Sequence, residues 1–422
     1  MITRRRALLG AGAAAAALAL ARPGDRGAPY PAYFAAWNRM LRAQGIDRPV
    51  LLIDLDRLDR NIERVTRSVG TVPGRTYRVV VKSVPSPDLV DYIARRAGTR
   101  ALMCFHRPFV QAMAALRPDA DVLLGKPLPA AAVQEFYAGP QGRFDAAAQL
   151  QWLVDTLSRL LQYRELARGQ GLRLRINLEI DVGLHRGGFE SPEALGAALQ
   201  AIAADPQHLE LAGFMGYDAH LMGLPQWLAR HELPKVKARY GAFVDLLRAR
   251  FPALVPRRPT FNGAGSPTLR YYEADPLLND LSAGTCLLKP SHYDLPTLED
   301  FEAGVWIATP VLKRLPGARL PTLEWAAPLW RAWDPNEAQM LFVYGGNWLA
   351  DPVAPPGLSP NFAYVSSNQQ GLSASAGSDA SVDDFVFFRP RQSEAVLLQF
   401  GDLVAARNGR IEARWPVLPT AR

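Results

Sequence analysis

The strongest constraint on this chain is a regular alternation of two hydrophobic periods between residues 76 and 283. Short apolar or β-branched runs fall at 76–81, 100–104, 121–124, 150–154, 173–180, 209–217, 259–262 and 279–283. Amphipathic stretches with helical spacing lie between them at 87–97, 107–117, 128–138, 157–170, 191–204 and 226–250, with a shorter connection at 267–276. A strand followed by a helical crossover, repeated, makes parallel strands buried on both faces. Eight such runs predict an α/β fold, a (β/α)8 TIM barrel. The alternative is a doubly wound open sheet. No G-x-G-x-x-G follows the first run, which counts against a dinucleotide fold.

The flanks have a different texture. The chain opens Thr3-Arg4-Arg5-Arg6-Ala7-Leu8-Leu9 and continues as an Ala/Leu stretch to Ala21. A charged start, an apolar middle and a small-x-small end at Ala19-Leu20-Ala21 read as an export signal over residues 1–21. The paired arginines point to the twin-arginine route and a periplasmic location. The stretch is short for a membrane span, so no stable insertion is expected. Residues 22–48 form an amino-terminal helical segment, in which Tyr30, Tyr33, Phe34 and Trp37 recur at helical spacing and read as a packing stripe. The barrel is expected over residues 49–295, opening with a strand at Pro49–Asp54 and a helix at Leu55–Val69. After residue 295 strand-like stretches at 303–315, 322–333, 339–348 and 383–418 predict a carboxy-terminal all-β domain, with Pro352–Pro360 and Ser373–Ser381 as loops inside it.

Charge and cysteine content exclude several functions. Removing residues 1–21 takes away three arginines and no acid, which lowers the formal charge from +8 to +5. Without basic runs or interleaved aromatics, nucleic-acid binding is not expected. Cys104 and Cys286 are the only two cysteines, too few for a disulfide framework or a thiolate metal cluster.

In a barrel of this type the site lies where strands meet the loops that follow them. The first run, Arg78-Val79-Val80-Val81-Lys82-Ser83, ends in a lysine that loses water on one side. That favours a neutral, nucleophilic amine, as a Schiff base with pyridoxal phosphate needs. The fifth run ends in Glu179-Ile180-Asp181-Val182-Gly183 and continues through His185 and Arg186. The sixth ends in Gly216-Tyr217-Asp218-Ala219-His220, and the seventh in Asn262-Gly263-Ala264-Gly265-Ser266. Small residues let backbone N–H groups approach a phosphate, and Ser266 adds a hydroxyl. Arg186 at the edge of a pyridine ring would disfavour protonation of its nitrogen. Tyr217 and His220 are candidates for ring contact and proton transfer. Blander readings stand beside these: a glycine-rich turn, a surface arginine, a core histidine. Asp181 reads as a loop cap, His292 as solvated, and His106 and Lys126 rank lower because nothing beside them suggests a role.

Taken together the motifs resemble the fold type III pyridoxal-phosphate enzymes, the alanine racemase barrel type, and within them the D-threonine aldolase and D-serine dehydratase group. The resemblance runs from about residue 48 to the carboxyl end. It rests on Pro49-Val50-Leu51-Leu52-Ile53-Asp54 with Asn61, on Val81-Lys82, on Asp181-Val182-Gly183 with Arg186-Gly187-Gly188, on Tyr217 and His220, and on Asn262-Gly263-Ala264-Gly265-Ser266. The closing Arg407-Asn408-Gly409 and Trp415-Pro416-Val417 are similar to the end of the aldolases. It implies that Lys82 carries the cofactor, that Gly263, Gly265 and Ser266 hold its phosphate with help from Tyr293, and that Arg186 lies near the pyridine nitrogen. Asn262 and Ala264 belong to the same cofactor loop. It also implies a homodimer.

The sequence departs from that family at two places. Where the aldolases bind a divalent metal through a histidine and an acid two residues later, this chain reads Gln392 and Glu394. An all-oxygen site of that kind favours Mg2+ or Mn2+ over Zn2+. Equally, the metal is lost and Gln392 hydrogen-bonds substrate. Where the aldolases carry a histidine beside the tyrosine, this chain carries Asp218. The resemblance therefore predicts a lyase acting on small D-configured β-hydroxy amino acids. The alternatives are an amino-acid racemase, a D-serine dehydratase-like enzyme, or a barrel that binds the cofactor without turnover.

Overall fold

The computed structural model describes residues 22–317 and 321–419; the export signal expected over residues 1–21 lies outside them. After a first strand β1 (Val50–Asp54), eight strands close into a parallel barrel: β2 (Thr76–Val80), β3 (Ala101–Cys104), β4 (Asp121–Leu124), β5 (Leu150–Val154), β6 (Leu174–Glu179), β7 (Leu209–Met215), β8 (Thr260–Gly263) and β9 (Asp280–Ala283). β9 pairs with β2 in parallel, Thr76 opposite Asp280, which closes the ring. The expected α/β barrel is therefore the observed one, and the boundaries of its strands agree with the apolar runs to within two residues.

Local chemistry explains the alternation. The strands are buried on both faces because helices cover the outside and side chains fill the inside. The helices start where a side chain can accept the orphan N–H groups of the first turn. Thr156 accepts from Arg159 N–H at 3.2 Å and heads the helix Leu157–Gln170, which Gly171 ends at φ 64°. Ser191 with Pro192 at the first helical position starts Pro192–Ala203 in the same way.

The barrel interior has a polar layer. Arg78 is 1% exposed and pairs with Asp280 at 2.7 Å and Asp121 at 3.0 Å. Gln151 donates to Thr260 Oγ1 at 3.0 Å, and Asn177 donates to Gln151 Oε1 at 3.1 Å. Most polar groups at such depth are tolerated because they satisfy one another, with Asn177 Oδ1 left unpaired.

Two compact units emerge. One comprises the described residues within Ile53–Val305, Gln392–Ala405 and Glu412–Arg422; the other those within Met1–Leu52, Trp306–Arg391 and Ala406–Ile411. The division does not follow chain order, since a stretch near the carboxyl end groups with the barrel strands. In the second unit the helix Ala32–Ala43 presents its aromatic stripe inward. Phe34 meets Trp306 at 4.9 Å and Phe387 at 5.0 Å between ring centroids.

This second unit is built on antiparallel pairs of β10 (Val305–Leu315), β11 (Gln339–Tyr344), β12 (Ala350–Ala354), β13 (Leu358–Pro360), β14 (Gln369–Ala374) and β15 (Phe385–Pro390). β13 pairs with β14, β14 with β11, β11 with β10, β10 with β15, and β15 with β12. Three expectations are corrected here. Residues 322–333 are helical, Glu324–Ala326 and Ala327–Trp333, because Pro328 suits a helical first turn while its ring removes a ladder donor. Pro352–Pro360, expected as a loop, carries most of β12 and all of β13. β14 starts at Gln369 and extends to Ala374, although its Gln-Gln-Gly-Leu-Ser-Ala composition carries no strand signal.

Candidate active site

β2 runs into one turn of 3-10 helix, Val81–Ser83, at the barrel mouth. That turn swings Lys82 into a pocket of about 600 Å³, counting its open mouth. The Lys82 side chain is 35% exposed; its Nζ lies 3.2 Å from Glu394 Oε1 and 4.5 Å from the centroid of the Phe105 ring. Phe105 follows β3, so two adjacent strands supply the amine and the ring beneath it.

The loops after β8 and β9 form the wall beside Lys82, since β9 pairs with β2. Ala264 adopts φ 61° and lets the chain turn sharply after Gly263. Gly265 backs onto Tyr217, where a Cβ would come within 2.9 Å of Cε2, so only glycine lets loop and ring approach this closely. Ser266 is 5% exposed, and its Oγ accepts from the N–H groups of Gly284 at 3.2 Å and Cys286 at 3.1 Å. The hydroxyl thereby ties the two loops together and keeps its own hydrogen as the one it can donate.

Arg186 reaches the pocket from the loop after β6, its guanidinium 5.2 Å from the centroid of the Tyr217 ring. Asp181 braces that loop. It accepts from Gly183 N–H at 2.8 Å and from His185 N–H at 3.1 Å, and its Oδ2 lies 2.6 Å from His185 Nδ1. Asp218 is 1% exposed and accepts from Thr268 Oγ1 at 2.7 Å and Tyr272 Oη at 2.8 Å. Burial raises its carboxyl above the usual range, while the two hydroxyl donors oppose that. Asp218 thus fastens the loop after β7 to the one after β8, and does not face the pocket. Burial also raises the phenols of Tyr217 and Tyr293, which keeps both protonated.

Of the residues marked in the sequence, Lys82, Arg186, Tyr217, Asn262, Ala264, Gly265, Ser266, Tyr293 and Glu394 all line this one pocket. The Asn262 amide is directed into the barrel, donating to Asp280 Oδ1 at 2.5 Å and Ser282 Oγ at 2.8 Å. Gly263 sits behind the wall, where a Cβ would strike Leu278 Cδ1 at 2.6 Å. His220 does not line the pocket. It lies against Gly183 with its Nδ1 buried and without a hydrogen-bond partner, and burial lowers its pKa. Gln392 is exposed and does not reach the pocket wall.

Three residues of the pocket wall escaped the sequence reading. Ser83 and Thr285 join Oγ to Oγ1 at 2.9 Å beneath Lys82, and Phe105 lies under its amine. Glu179, at the end of β6, is 7% exposed, and burial raises its pKa to about 7 against the lowering pull of Arg186. His106 was ranked low, but burial, helped by the charges of Lys126 and Lys82, lowers its pKa.

The pocket wall carries an amine, a serine turn of small residues and a guanidinium. That set fits pyridoxal phosphate: Lys82 for its aldehyde, the Gly265–Ser266 turn for its phosphate, Arg186 for its ring. A divalent cation fits less well. Among the described residues no group of three or more His, Cys, Asp and Glu side chains is placed to hold one. No helix among the described residues is long and apolar enough to cross a membrane.

Comparison with known proteins agrees with this geometry. The chain is 23% identical over 381 residues to 3-hydroxy-D-aspartate aldolase of Paracoccus denitrificans (strain Pd 1222), covering 88% of this chain and 92% of that protein. D-threonine aldolase from Filomicrobium marinum superposes with a TM-score of 0.68 at 17% identity, covering 88% of this chain and 95% of that one. D-threo-3-hydroxyaspartate dehydratase from Delftia sp. HT23 gives a TM-score of 0.68 at 17% identity, covering 88% and 98%. Residues 53–291 match the family described as alanine racemase, N-terminal domain. On that match the chain belongs to the alanine racemase N-terminal domain family, the fold type III pyridoxal-phosphate barrels.

Proposed function

We propose that this protein is a pyridoxal-phosphate-dependent lyase that cleaves D-configured β-hydroxy amino acids into an aldehyde and a smaller amino acid. The observation that carries the reading is the placement of the Lys82 amine, the Ser266 turn and the Arg186 guanidinium around one pocket at the barrel mouth. The likeness to 3-hydroxy-D-aspartate aldolase over most of the chain supports the substrate class.

Pyridoxal phosphate, when bound, supplies a sink for the electron pair of a bond broken at the α-carbon. The chain's own residues do the rest. Lys82 would attach the cofactor and afterwards carry a proton at Nζ. Ser266 would hold the phosphate through its hydroxyl hydrogen, and Arg186 would keep a permanent positive charge by the ring. Tyr217 forms one face of the slot, its ring fixed between Gly265 and Arg186. A racemase needs a second base opposite the lysine, and the one carboxylate among the described pocket residues, Glu394, lies beside the lysine at 3.2 Å and not across from it, which favours the lyase reading.

The test is the visible spectrum of the purified protein and of Lys82→Ala, before and after borohydride, followed by incubation with D- and L-β-hydroxy amino acids. A band that depends on Lys82, is trapped by reduction, and accompanies aldehyde release from D isomers is expected. Inversion of an enantiomer without aldehyde release would replace the lyase with a racemase. We further propose export by the twin-arginine route, from the Arg4-Arg5-Arg6 start. Cell fractionation checks it, with recovery from the periplasm expected.

A further inference from the structure

Lys82 and Arg186 are the cations that line the pocket, and among the described residues that line it Glu394 is the one carboxylate. Its Oε1 lies 3.2 Å from Lys82 Nζ and accepts from Ser83 Oγ at 3.4 Å. Ser83 is 1% exposed and is held in turn by Thr285. The segment that carries Glu394 is anchored on both sides. Ser393 is buried, its carbonyl accepts from Val396 N–H at 3.1 Å and Leu397 N–H at 2.9 Å, and Val396 and Leu397 are fully buried. The backbone that carries the carboxylate is therefore anchored, and the side chain, 46% exposed, reaches the atom where chemistry starts.

Its neighbours do not make a cation site. Gln392, two residues earlier, is exposed and off the pocket wall, and no further His, Cys, Asp or Glu joins Glu394 to complete a ligand set among the described residues. Cleavage beside a β-hydroxyl still needs a group to take the hydroxyl proton. The pocket phenols are protonated, so they cannot accept it.

We propose that Glu394 is a catalytic base that takes the substrate's β-hydroxyl proton directly, in place of a metal-bound arrangement. This rests on the lyase reading above. The O–H bond breaks and the proton passes to a Glu394 carboxylate oxygen. The oxygen's electrons form the C=O bond of the aldehyde as the Cα–Cβ bond breaks, and that bond's pair stays on Cα. The Lys82 ammonium then protonates Cα, and Glu394 gives its proton up to solvent. No oxidant or reductant is needed.

The experiment compares wild type, E394Q and E394D as holoenzymes on D-threonine and 3-hydroxy-D-aspartate. Each is assayed after exhaustive chelation, and again with Mn2+ or Mg2+ restored. Two readouts do not depend on turnover: borohydride trapping of the cofactor at Lys82, and the spectral titration with D-alanine, which has no β-hydroxyl. We expect E394Q to lose aldehyde release by about 10²- to 10⁴-fold, the usual worth of a general base. Trapping and the D-alanine titration should match wild type, E394D should recover part of the rate, and chelated wild type should keep its rate. Wild-type loss on chelation with recovery in Mn2+, or an E394Q enzyme as fast as wild type, would overturn the assignment while leaving the lyase intact. No aldehyde from wild type on either substrate would overturn both.

Discussion

Glu179 shows how one residue carries a pH dependence for the whole barrel. Its carboxyl is raised from 4.5 to about 7 chiefly by burial, with Arg186 opposing. The folded state thus binds a proton between those values that the unfolded chain has released. Stability is therefore full below about pH 4.5 with respect to this group, and falls as pH rises to about 7. The size is of order 3 kcal/mol at 1.36 kcal/mol per unit. Denaturant unfolding at pH 5 and pH 8 should show this loss, and Glu179→Gln should remove most of it. Gly265 sets a second residue-scale limit. Gly265→Ala drives a Cβ to within 2.9 Å of Tyr217 Cε2, so the ring or the loop must shift at a cost of about 1–3 kcal/mol. Titration of the apoprotein with pyridoxal phosphate should show the weakened binding.

Elements were legible where burial imposes a pattern. The barrel strands read as uninterrupted apolar runs because both faces are covered, and the helices read through their amphipathic spacing, with caps such as Thr156 seen in the structure. Thr156→Ala should cost about 1 kcal/mol, read by chemical denaturation, with Thr156→Ser close to wild type. In the antiparallel sheet the pattern breaks down. β14 is specified by its pairing with β11, Gln370 opposite Val343 and Leu372 opposite Leu341, which no local composition reports. The helix at Ala327–Trp333 exposes Leu329 and half-exposes Trp333, so its apolar content imitates a strand. The site divides in the same way. Lys82, Arg186, Tyr217 and Ser266 stand at strand ends and could be found from that alone. Ser83, Thr285 and Phe105 acquire meaning only from side chains that the topology brings beside them. His220 looked suited to proton transfer by type, and its position against Gly183 takes it away from the pocket.

At the scale of the whole molecule the barrel's polar interior and its thiols set the terms of survival. Replacing Arg78 by methionine would leave Asp280 as a buried carboxylate without its main counter-charge. A loss of about 3–5 kcal/mol is expected for breaking such a pair, measurable as a lowered denaturation midpoint. Cys104 and Cys286 are fully buried, and burial pushes both thiols up to about 12. Neither offers a thiolate to an oxidant. The bridge made by Ser266 has a consequence for the closure of the barrel. Because Gly284 and Cys286 both give their N–H groups to its oxygen, one side chain sets the spacing of the loops after β8 and β9. Its removal would leave two backbone donors without that acceptor, so the same hydroxyl that serves the pocket also holds shut the seam where the last barrel strand meets the first.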